Sequence, residues 1–430
     1  MGSNVWWKAL VLAGPVLLFP VARSYYVFYV AIMGWALWEA RGALFREERA
    51  VLMAVAAFFL PVLVTFLAAL VSGGADPVWL KRGGAFLLGG LLALATARLF
   101  RDARIQPLAT ALISLAVCSW LLDGCLQLLA GQSIDCRGGA SACLTDPRWS
   151  LYFATNTKLS YFAGMMAFLP TSWLIRRRRY WLACAVLVMA GVTSMAMGSR
   201  FGMLAFLVGL GALGFVVALG LGRRAKLLIF VAAPLAILAV GAVFYQVNPE
   251  FHARMARTLS IFSATDYRIV NNALSGRLDI WLPTLAMLGD GNWLFGIGPG
   301  NLDTAIRPYF QPGNVFANAK VFHAHQVMID ILAATGLVGL LAFLAYYGWA
   351  ARQFLRYRFQ DIDLRWGALL VFLLMWFPLN SAQGFYSSEM MFLTFYMLGL
   401  GFGFRPVAPL PASSATGADG MAPLRDSVVV

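Results

Sequence analysis

Apolar stretches long enough to cross about 30 Å of hydrocarbon recur along the chain, and they constrain its fold more than any other feature. About twelve such windows can be placed, at residues 5–22, 25–40, 50–72, 83–100, 106–130, 157–175, 180–198, 201–221, 226–246, 324–350, 365–382 and 389–404. Hydrophobic residues make up 61% of the 430 positions and charged residues only 12%, whereas soluble domains are about half apolar and a quarter charged. The sequence therefore predicts an all-α polytopic membrane protein.

Basic residues gather at every second connection between these windows. The clusters contain Arg41, Arg46 and Arg49; Arg98, Arg101 and Arg104; Arg176 to Arg179; Arg223, Arg224 and Lys226; and Arg352, Arg356, Arg358 and Arg365. Together with Lys8, Arg405 and Arg425 they hold 20 of the 33 basic residues. The positive-inside rule then predicts that both termini are cytoplasmic and that the first window is a retained helix rather than a cleaved signal.

The net charge of +14 has a related explanation. Much of it follows from this orientation and from attraction to anionic lipid headgroups, so membrane lipids are expected partners. Nucleic acid is not an expected partner, because nucleic-acid binding would require a basic soluble domain and the sequence contains none.

The connection between the ninth and tenth windows is much longer than the others. It divides the chain into helices at 1–246, an outer segment at 247–322, further helices at 323–404, and a tail at 405–430. The outer segment is rich in aromatic residues, so we expect it to fold against the membrane surface. The tail is rich in Pro, Ala, Ser and Gly, and this composition predicts disorder.

Two local features are predicted inside the outer segment. Ser275 is expected to cap a helix, with Pro283 kinking or shortening it. One side of this helix carries Leu278, Trp281, Leu282, Leu285 and Leu288. The run "FGIGPGN", residues 295–301, is expected to form a tight turn. Its amides could also face a phosphate, but the spacing matches no known phosphate loop.

Two cysteines, Cys136 and Cys143, lie in a polar loop that the charge pattern places on the outer face. An oxidising compartment would permit a disulfide between them. A zinc site is the alternative, but no third and fourth ligand is nearby, so we favour the disulfide and expect no metal.

The chain has three histidines, His252, His323 and His325, and all three are predicted to lie at the outer face. His325 lies at or just before the N-terminus of the helix predicted in the tenth window, where the positive end of a helix disfavours imidazolium. We therefore expect a neutral ring, as a general base requires. The alternative is that these rings are interfacial anchors. A metal site made from His323 and His325 is disfavoured because neither has a carboxylate one helical turn away.

Two outer arginines and two intramembrane acids are the other candidates. Arg200 occupies a short outer turn and Arg277 the start of the outer helix, where a guanidinium could bind phosphate or, for Arg277, pair with Asp266 or Asp279. Asp123 and Asp330 lie inside apparent spans, so a transporter is the rival class of protein.

Three stretches resemble the O-antigen ligase and polymerase superfamily of bacterial envelope glycosyltransferases. They are "SRFGMLAFLVG", "SGRLDIWLPTLAMLGDGNWLFGIGPGN" and "HAHQVMIDILAATGLVGLLAFL", within roughly residues 195–345. The most specific element is a His-Gln pair followed by two spaced glycines, here His325, Gln326, Gly336 and Gly339. The resemblance selects His325 as the functional histidine and places the two glycines along the helix behind it.

The resemblance also implies an activity. It implies a GT-C-like bacterial inner-membrane protein whose active site faces the periplasm and whose donor is a glycan on undecaprenyl pyrophosphate. Arg200 and Arg277 would bind the pyrophosphate, His325 would be catalytic, and His323, Lys320 and His252 would be secondary contacts. Transfer would be inverting and independent of metal or other cofactor.

Several activities within and near this superfamily remain open. A ligase moves finished O-antigen to the lipid A-core, a polymerase joins repeat units on the lipid carrier, and a third branch glycosylates proteins. The "GIGPGN" turn with the His-Gln pair is most similar to the ligase branch. The shape-related cell-wall polymerases share the layout of many spans with a large outer loop, and the positions of His325 and the arginines argue against them.

Overall fold

The structure is a computed structural model. It describes residues 3–19, 24–40, 44–71, 77–130, 162–196, 199–218, 220, 222–247, 249–263, 265–321, 323–356, 362–381, 384 and 387–403. The regular structure within these residues is helical. The α-helices are α1 (Ser3–Leu17), α2 (Tyr25–Ala40), α3 (Leu44–Glu47), α4 (Arg49–Val71), α5 (Pro77–Phe100), α6 (Gln106–Ala130), α7 (Phe162–Met166), α8 (Phe168–Arg176), α9 (Tyr180–Ala196), α10 (Arg200–Ala218), α11 (Arg223–Leu227), α12 (Ala233–Val247), α13 (Pro249–Leu259), α14 (Tyr267–Ala273), α15 (Leu278–Met287), α16 (Leu302–Ile306), α17 (Val327–Leu355), α18 (Leu364–Met375) and α19 (Ser388–Gly403).

Each of the twelve apolar windows coincides with helical residues in the described part of the chain. Among the residues that the structure describes, three helices are long and apolar enough to cross a membrane, namely Gln106–Leu126, Arg200–Ala218 and Val327–Leu355, and six shorter apolar helices accompany them. The prediction of a helical membrane protein is thus supported, while the number of crossings stays a prediction. The eleventh window was placed too long, because α18 ends at Met375.

Two of the basic connections, around residues 41–49 and 98–104, meet at one end of the helix bundle. There, the side chain of Lys8 on α1 contacts Glu39 at the end of α2. Arg101, which follows α5, pairs with the buried Glu48 at 2.7 Å. Clustering of these loops is what a positive-inside arrangement requires, although which end faces the cytoplasm stays a prediction.

Helix α17 is broken at Gly336, where φ is +64° and ψ is −170°. A broken helix leaves N–H and C=O groups without partners inside the helix, and in an apolar environment each must be satisfied elsewhere. Residues 293–298, which we name the glycine clasp, supply the partners. Four backbone hydrogen bonds join clasp and helix: Ile297 N to Ala333 O at 2.8 Å, Gly298 N to Ala334 O at 3.0 Å, Leu337 N to Trp293 O at 2.8 Å and Val338 N to Leu294 O at 3.2 Å.

Glycine is required on both sides of this junction. A Cβ added at Gly336 would lie 2.2 Å from the carbonyl oxygen of Leu294, and one at Gly296 would lie 2.6 Å from that of Ala333. The sequence-based expectation that Gly336 simply lies along a continuous helix was therefore wrong. The turn expected in "FGIGPGN" is confirmed, and two of its amides bind helix carbonyls instead of a phosphate.

The outer segment has a small apolar core of its own, shared with α17. Its buried members include Ile280, Met287, Ile306 and, from α17, Ala333. Ser275 does not cap α15, because it has a φ of +60° and the helix begins three residues after it, with Arg277 at its N-cap position. The side chain of Asn271 performs this function instead, since its Oδ1 accepts the N–H of Leu278 at 3.0 Å.

Two of the sequence-based expectations fall on residues that the structure does not describe. The predicted disulfide between Cys136 and Cys143 and the predicted tail at 405–430 lie outside the described residues.

The glycine clasp yields a first prediction. Gly336→Ala forces a side chain into a left-handed conformation and against the backbone of Leu294, so it should destabilise the protein by more than about 2 kcal/mol. Thermal unfolding in detergent, with hydrogen exchange read at residues 293–298, measures the effect.

The matched control lies on the same helix. Gly348→Ala meets nothing within 4 Å, so it should be neutral or stabilising by up to about 1 kcal/mol. Equal behaviour of the two variants would contradict the role of the clasp.

Asp303 yields a prediction about pH. The N–H of Val321, together with Arg307, holds the pKa of this carboxyl below its ordinary value. In the unfolded chain the pKa of an aspartate is about 3.9. Because the pKa is lower in the folded protein, the carboxylate stabilises the fold at pH values above the unfolded-state pKa. This stabilisation is lost as the pH falls through the folded-state pKa. Hydrogen exchange of the Val321 amide, corrected for its intrinsic rate, should therefore accelerate below about pH 4. Protection that persists unchanged at pH 2 would contradict this account.

Candidate active site

Four parts of the chain meet at one end of the helix bundle. They are the start of α10, the start of α15, the turn at 323–326 that precedes α17, and the connection between α18 and α19. Hydrogen bonds link the start of α15 to the turn and to the connection between α18 and α19. Arg200 at the start of α10 bonds to Ala273 at the end of α14, and its charge acts on Arg277. The side chains gathered here are two arginines and two histidines. These are the residues that the sequence had singled out.

Arg200 and Arg277 form a pair of cations. Arg200 donates a hydrogen bond to the carbonyl oxygen of Ala273, and Arg277 Nη1 donates to Ser381 Oγ at 2.9 Å. Both side chains are half-buried. Burial lowers the pKa of Arg277, and the nearby charge of Arg200 lowers it further. Because the ordinary pKa of arginine is above about 12, both groups remain charged near neutral pH.

The alternative of a structural ion pair for Arg277 does not hold. Asp266 caps α14, where its Oδ1 accepts the N–H groups of Arg268 and Ile269. Asp279 accepts the hydroxyl of Tyr267 at 2.5 Å and thereby helps to raise the pKa of that phenol to about 12. The hydrogen-bond partner of Arg277 is the neutral hydroxyl of Ser381, so the charge of Arg277 can act on an anion.

His325 lies in the turn before α17 with a φ of +53°. Its N–H donates to Nδ1 of His323 at 3.2 Å, and the two ring centroids are 4.0 Å apart. A left-handed conformation costs a non-glycine residue roughly 1–2 kcal/mol, and such strain concentrates at functional sites. A specific set of contacts holds this backbone in place.

Asp330 and Trp281 fix the two peptide groups on either side of Ala324, the residue that precedes His325. Asp330 Oδ1 accepts the N–H of Ala324 at 3.1 Å, and Trp281 Nε1 donates to the carbonyl of the same residue at 2.8 Å. Asp330 is buried, and this contact gives it a structural role. The contact therefore weakens the suggestion that it belongs to an ion pathway.

The residues after His325 are anchored to the connection between α18 and α19. Gln326 caps α17, since its Oε1 accepts the N–H of Ile329 at 2.7 Å while its Nε2 donates to the carbonyl of Pro378, also at 2.7 Å. Val327 N donates to the carbonyl of the buried Asn380 at 2.8 Å. The expected position of His325 at the helix N-terminus is confirmed.

Other sequence candidates lie apart from this cluster or have no described contact with it. His252 is exposed on α13 with its ring 4.5 Å from that of Tyr245. Lys320 is exposed, and its charge acts on Asp303. Asp123 is buried in α6. Within the described residues no group of three or more His, Cys, Asp or Glu side chains is arranged to hold a metal.

Sequence reasoning missed several residues that shape the site. Asn380 and Ser381 fell inside an apolar window, so their polar contacts were not anticipated. The sequence could have indicated these two residues, because a pair of polar side chains inside a predicted membrane span must find hydrogen-bond partners. Trp281 had been assigned only to the apolar face of a helix, although a buried indole N–H usually finds an acceptor.

The fold and the site together define a helical membrane protein with a cationic, histidine-containing site at one end of its helix bundle. Residues 185–344 match the family model described as O-antigen ligase, and this match supports membership of the O-antigen ligase and polymerase family. The matched region includes Arg200, Arg277 and His325. This similarity supports a ligase or polymerase type of function with glycan or lipid-linked substrates in a membrane. A comparison with curated proteins found no match.

The arginine pair generates a prediction about stability and binding. Arg277→Gln removes a half-buried cation that lies near Arg200, so we expect unchanged or higher thermal stability together with loss of anion binding. Pyrophosphate should raise the melting temperature of the unaltered protein and not that of the variant. Arg356→Ala, at the opposite end of α17, is the control and should retain the pyrophosphate response. A response of equal size in all three proteins would contradict the assignment.

Proposed function

We propose that this chain is an O-antigen ligase, which transfers O-antigen polysaccharide from undecaprenyl pyrophosphate to the lipid A-core on the periplasmic side of the inner membrane. The proposal rests on one observation. Two half-buried guanidinium groups lie near one another at the end of the helix bundle that also holds His325. An anionic leaving group and a proton acceptor are the two requirements of such a transfer.

In the proposed reaction, Arg200 and Arg277 bind the diphosphate of the donor. The bond between the anomeric carbon and the diphosphate oxygen breaks, and its electron pair remains on the diphosphate. The arginine pair offsets the charge that develops there, and placing such donors at developing charge is commonly the largest catalytic contribution. A guanidinium suits the role because its fork of N–H groups matches phosphate geometry.

On the other side of the anomeric carbon, the acceptor hydroxyl forms the new glycosidic bond. Its proton passes to the imidazole of His325, which must therefore be neutral before the step. One displacement inverts the anomeric configuration. The hydrogen bonds to Ala324 and from the N–H of His325 hold the backbone of the turn in one conformation, so proton transfer needs no rearrangement of the turn.

A polymerase is the second candidate, because it uses the same donor and the same chemistry with a lipid-linked acceptor. The resemblance of the "GIGPGN" turn and the His-Gln pair to ligases favours the first candidate. The lipopolysaccharide of a deletion strain separates the two. Loss of long chains with lipid-linked polymer retained indicates a ligase, and core carrying one repeat unit indicates a polymerase.

The general-base role yields a prediction. His325→Ala should lower the rate of glycan transfer by about 10²–10⁴-fold, the usual effect of removing a general base. The variant should remain folded and inserted, because the contacts of Ala324 and Gln326 do not involve the ring of His325. Electrophoresis of lipopolysaccharide from complemented deletion cells measures the outcome.

The matched control is His252→Ala, which removes the exposed histidine of α13. It should leave the lipopolysaccharide ladder intact. A normal ladder from His325→Ala would refute the general-base assignment.

A further inference from the structure

A cavity of about 110 Å³ lies beside the turn that carries His325. Its wall includes His323, Asp330, Ser387 and the three glycines Gly298, Gly300 and Gly384. One water needs roughly 10–15 Å³ of such space, so the cavity has room for several waters and, by the same measure, for a body of about the size of one sugar ring. The reaction proposed above assigns no ligand to this cavity.

The polar groups of the cavity suit a neutral ligand with several hydroxyls. The carboxyl of Asp330, the imidazole of His323 and the hydroxyl of Ser387 can all accept or exchange hydrogen bonds with hydroxyl groups. No lysine or arginine is among the described residues that line the wall. A diphosphate would therefore find its charge unmatched here, whereas it is matched at Arg200 and Arg277.

Glycine keeps the wall open to a ligand. Gly298 and Gly300 have φ values of +85° and +88°, a conformation that presents bare backbone. At Gly384, an added Cβ would lie 2.7 Å from the Cβ of His323 and 3.3 Å from Oδ2 of Asp330. The missing side chain therefore leaves room for both polar groups at the wall.

The cavity lies close both to the residues proposed to bind the donor and to the proposed general base. The connection between α18 and α19 contacts the arginine pair through Ser381 and lines the cavity through Gly384 and Ser387. The ring of His323, which lines the cavity, is 4.0 Å from the ring of His325. A sugar in the cavity would thus lie beside the histidine pair, on a different surface from the diphosphate.

We infer that this cavity is the subsite for the acceptor sugar, which presents its hydroxyl to His325, with Asp330, His323 and Ser387 binding its neighbouring hydroxyls. The inference rests on the proposed function, because it names where that reaction holds its acceptor. It assigns the anionic donor to the arginines and the neutral acceptor to the cavity.

Ser387→Thr tests the inference with little risk to the fold. Ser387 Oγ accepts the N–H of Met390 at 3.2 Å at the start of α19, and threonine keeps this hydroxyl while it adds a methyl group. One methyl group in a binding pocket changes discrimination by about tenfold or more, so the KM for a core-oligosaccharide acceptor should rise about tenfold. The KM for a lipid-diphosphate-linked donor should not change. Ser263→Thr adds the same methyl group to an exposed residue of the outer segment and is the control.

Asp330→Asn provides a second measurement. Its Oδ1 can still accept the N–H of Ala324, so the turn is retained while the carboxyl is lost. The acceptor KM should rise again while the donor KM stays constant.

Three results would overturn the inference: an unchanged acceptor KM in both variants, an equal rise of donor and acceptor KM, or a rise in donor KM alone. If the unaltered protein transferred no glycan, the proposed function would fail instead, and the two failures are thus distinguishable.

Discussion

The site depends on how the backbone of α17 finds hydrogen-bond partners where regular helix stops. At its first turn Val327 donates to Asn380, and at its break the glycine clasp receives and supplies four hydrogen bonds. An apolar environment makes each unsatisfied peptide group costly, by several kcal/mol. The outer segment is therefore bound to a membrane helix by backbone groups at a position that only glycine can occupy.

The first turn of α17 also stabilises a strained residue, His325. His325 has a left-handed backbone, and Asp330 and Trp281 bind the N–H and the carbonyl of Ala324, the residue before it. The arginine pair is likewise unfavourable on its own, because burial and a neighbouring like charge both lower the pKa of Arg277. Both features oppose folding, and the arginine pair in addition favours binding of an anionic ligand. Such unfavourable features are common at functional sites.

The sequence predicted most of the helices, because hydrophobic windows and alternating basic loops report directly on length and orientation. It also indicated Arg200, Arg277 and His325, which the structure brings to one end of the bundle. It did not indicate the break at Gly336, because one glycine in an apolar run has no periodic signature, and the Leu294 backbone that excludes a side chain there is distant in the sequence. Contacts such as Trp281 with Ala324 depend on tertiary packing and so could not be read from local pattern.

The most direct measurement is transfer by the purified protein in vesicles that contain a defined polyprenyl-diphosphate-linked polysaccharide and a lipid A-core acceptor. The account predicts that polymer moves to the lipid A-core in equal amount to the polyprenyl diphosphate released, with inverted anomeric configuration. Retained configuration, or growth of polymer on the polyprenyl carrier with none on the lipid A-core, would contradict it.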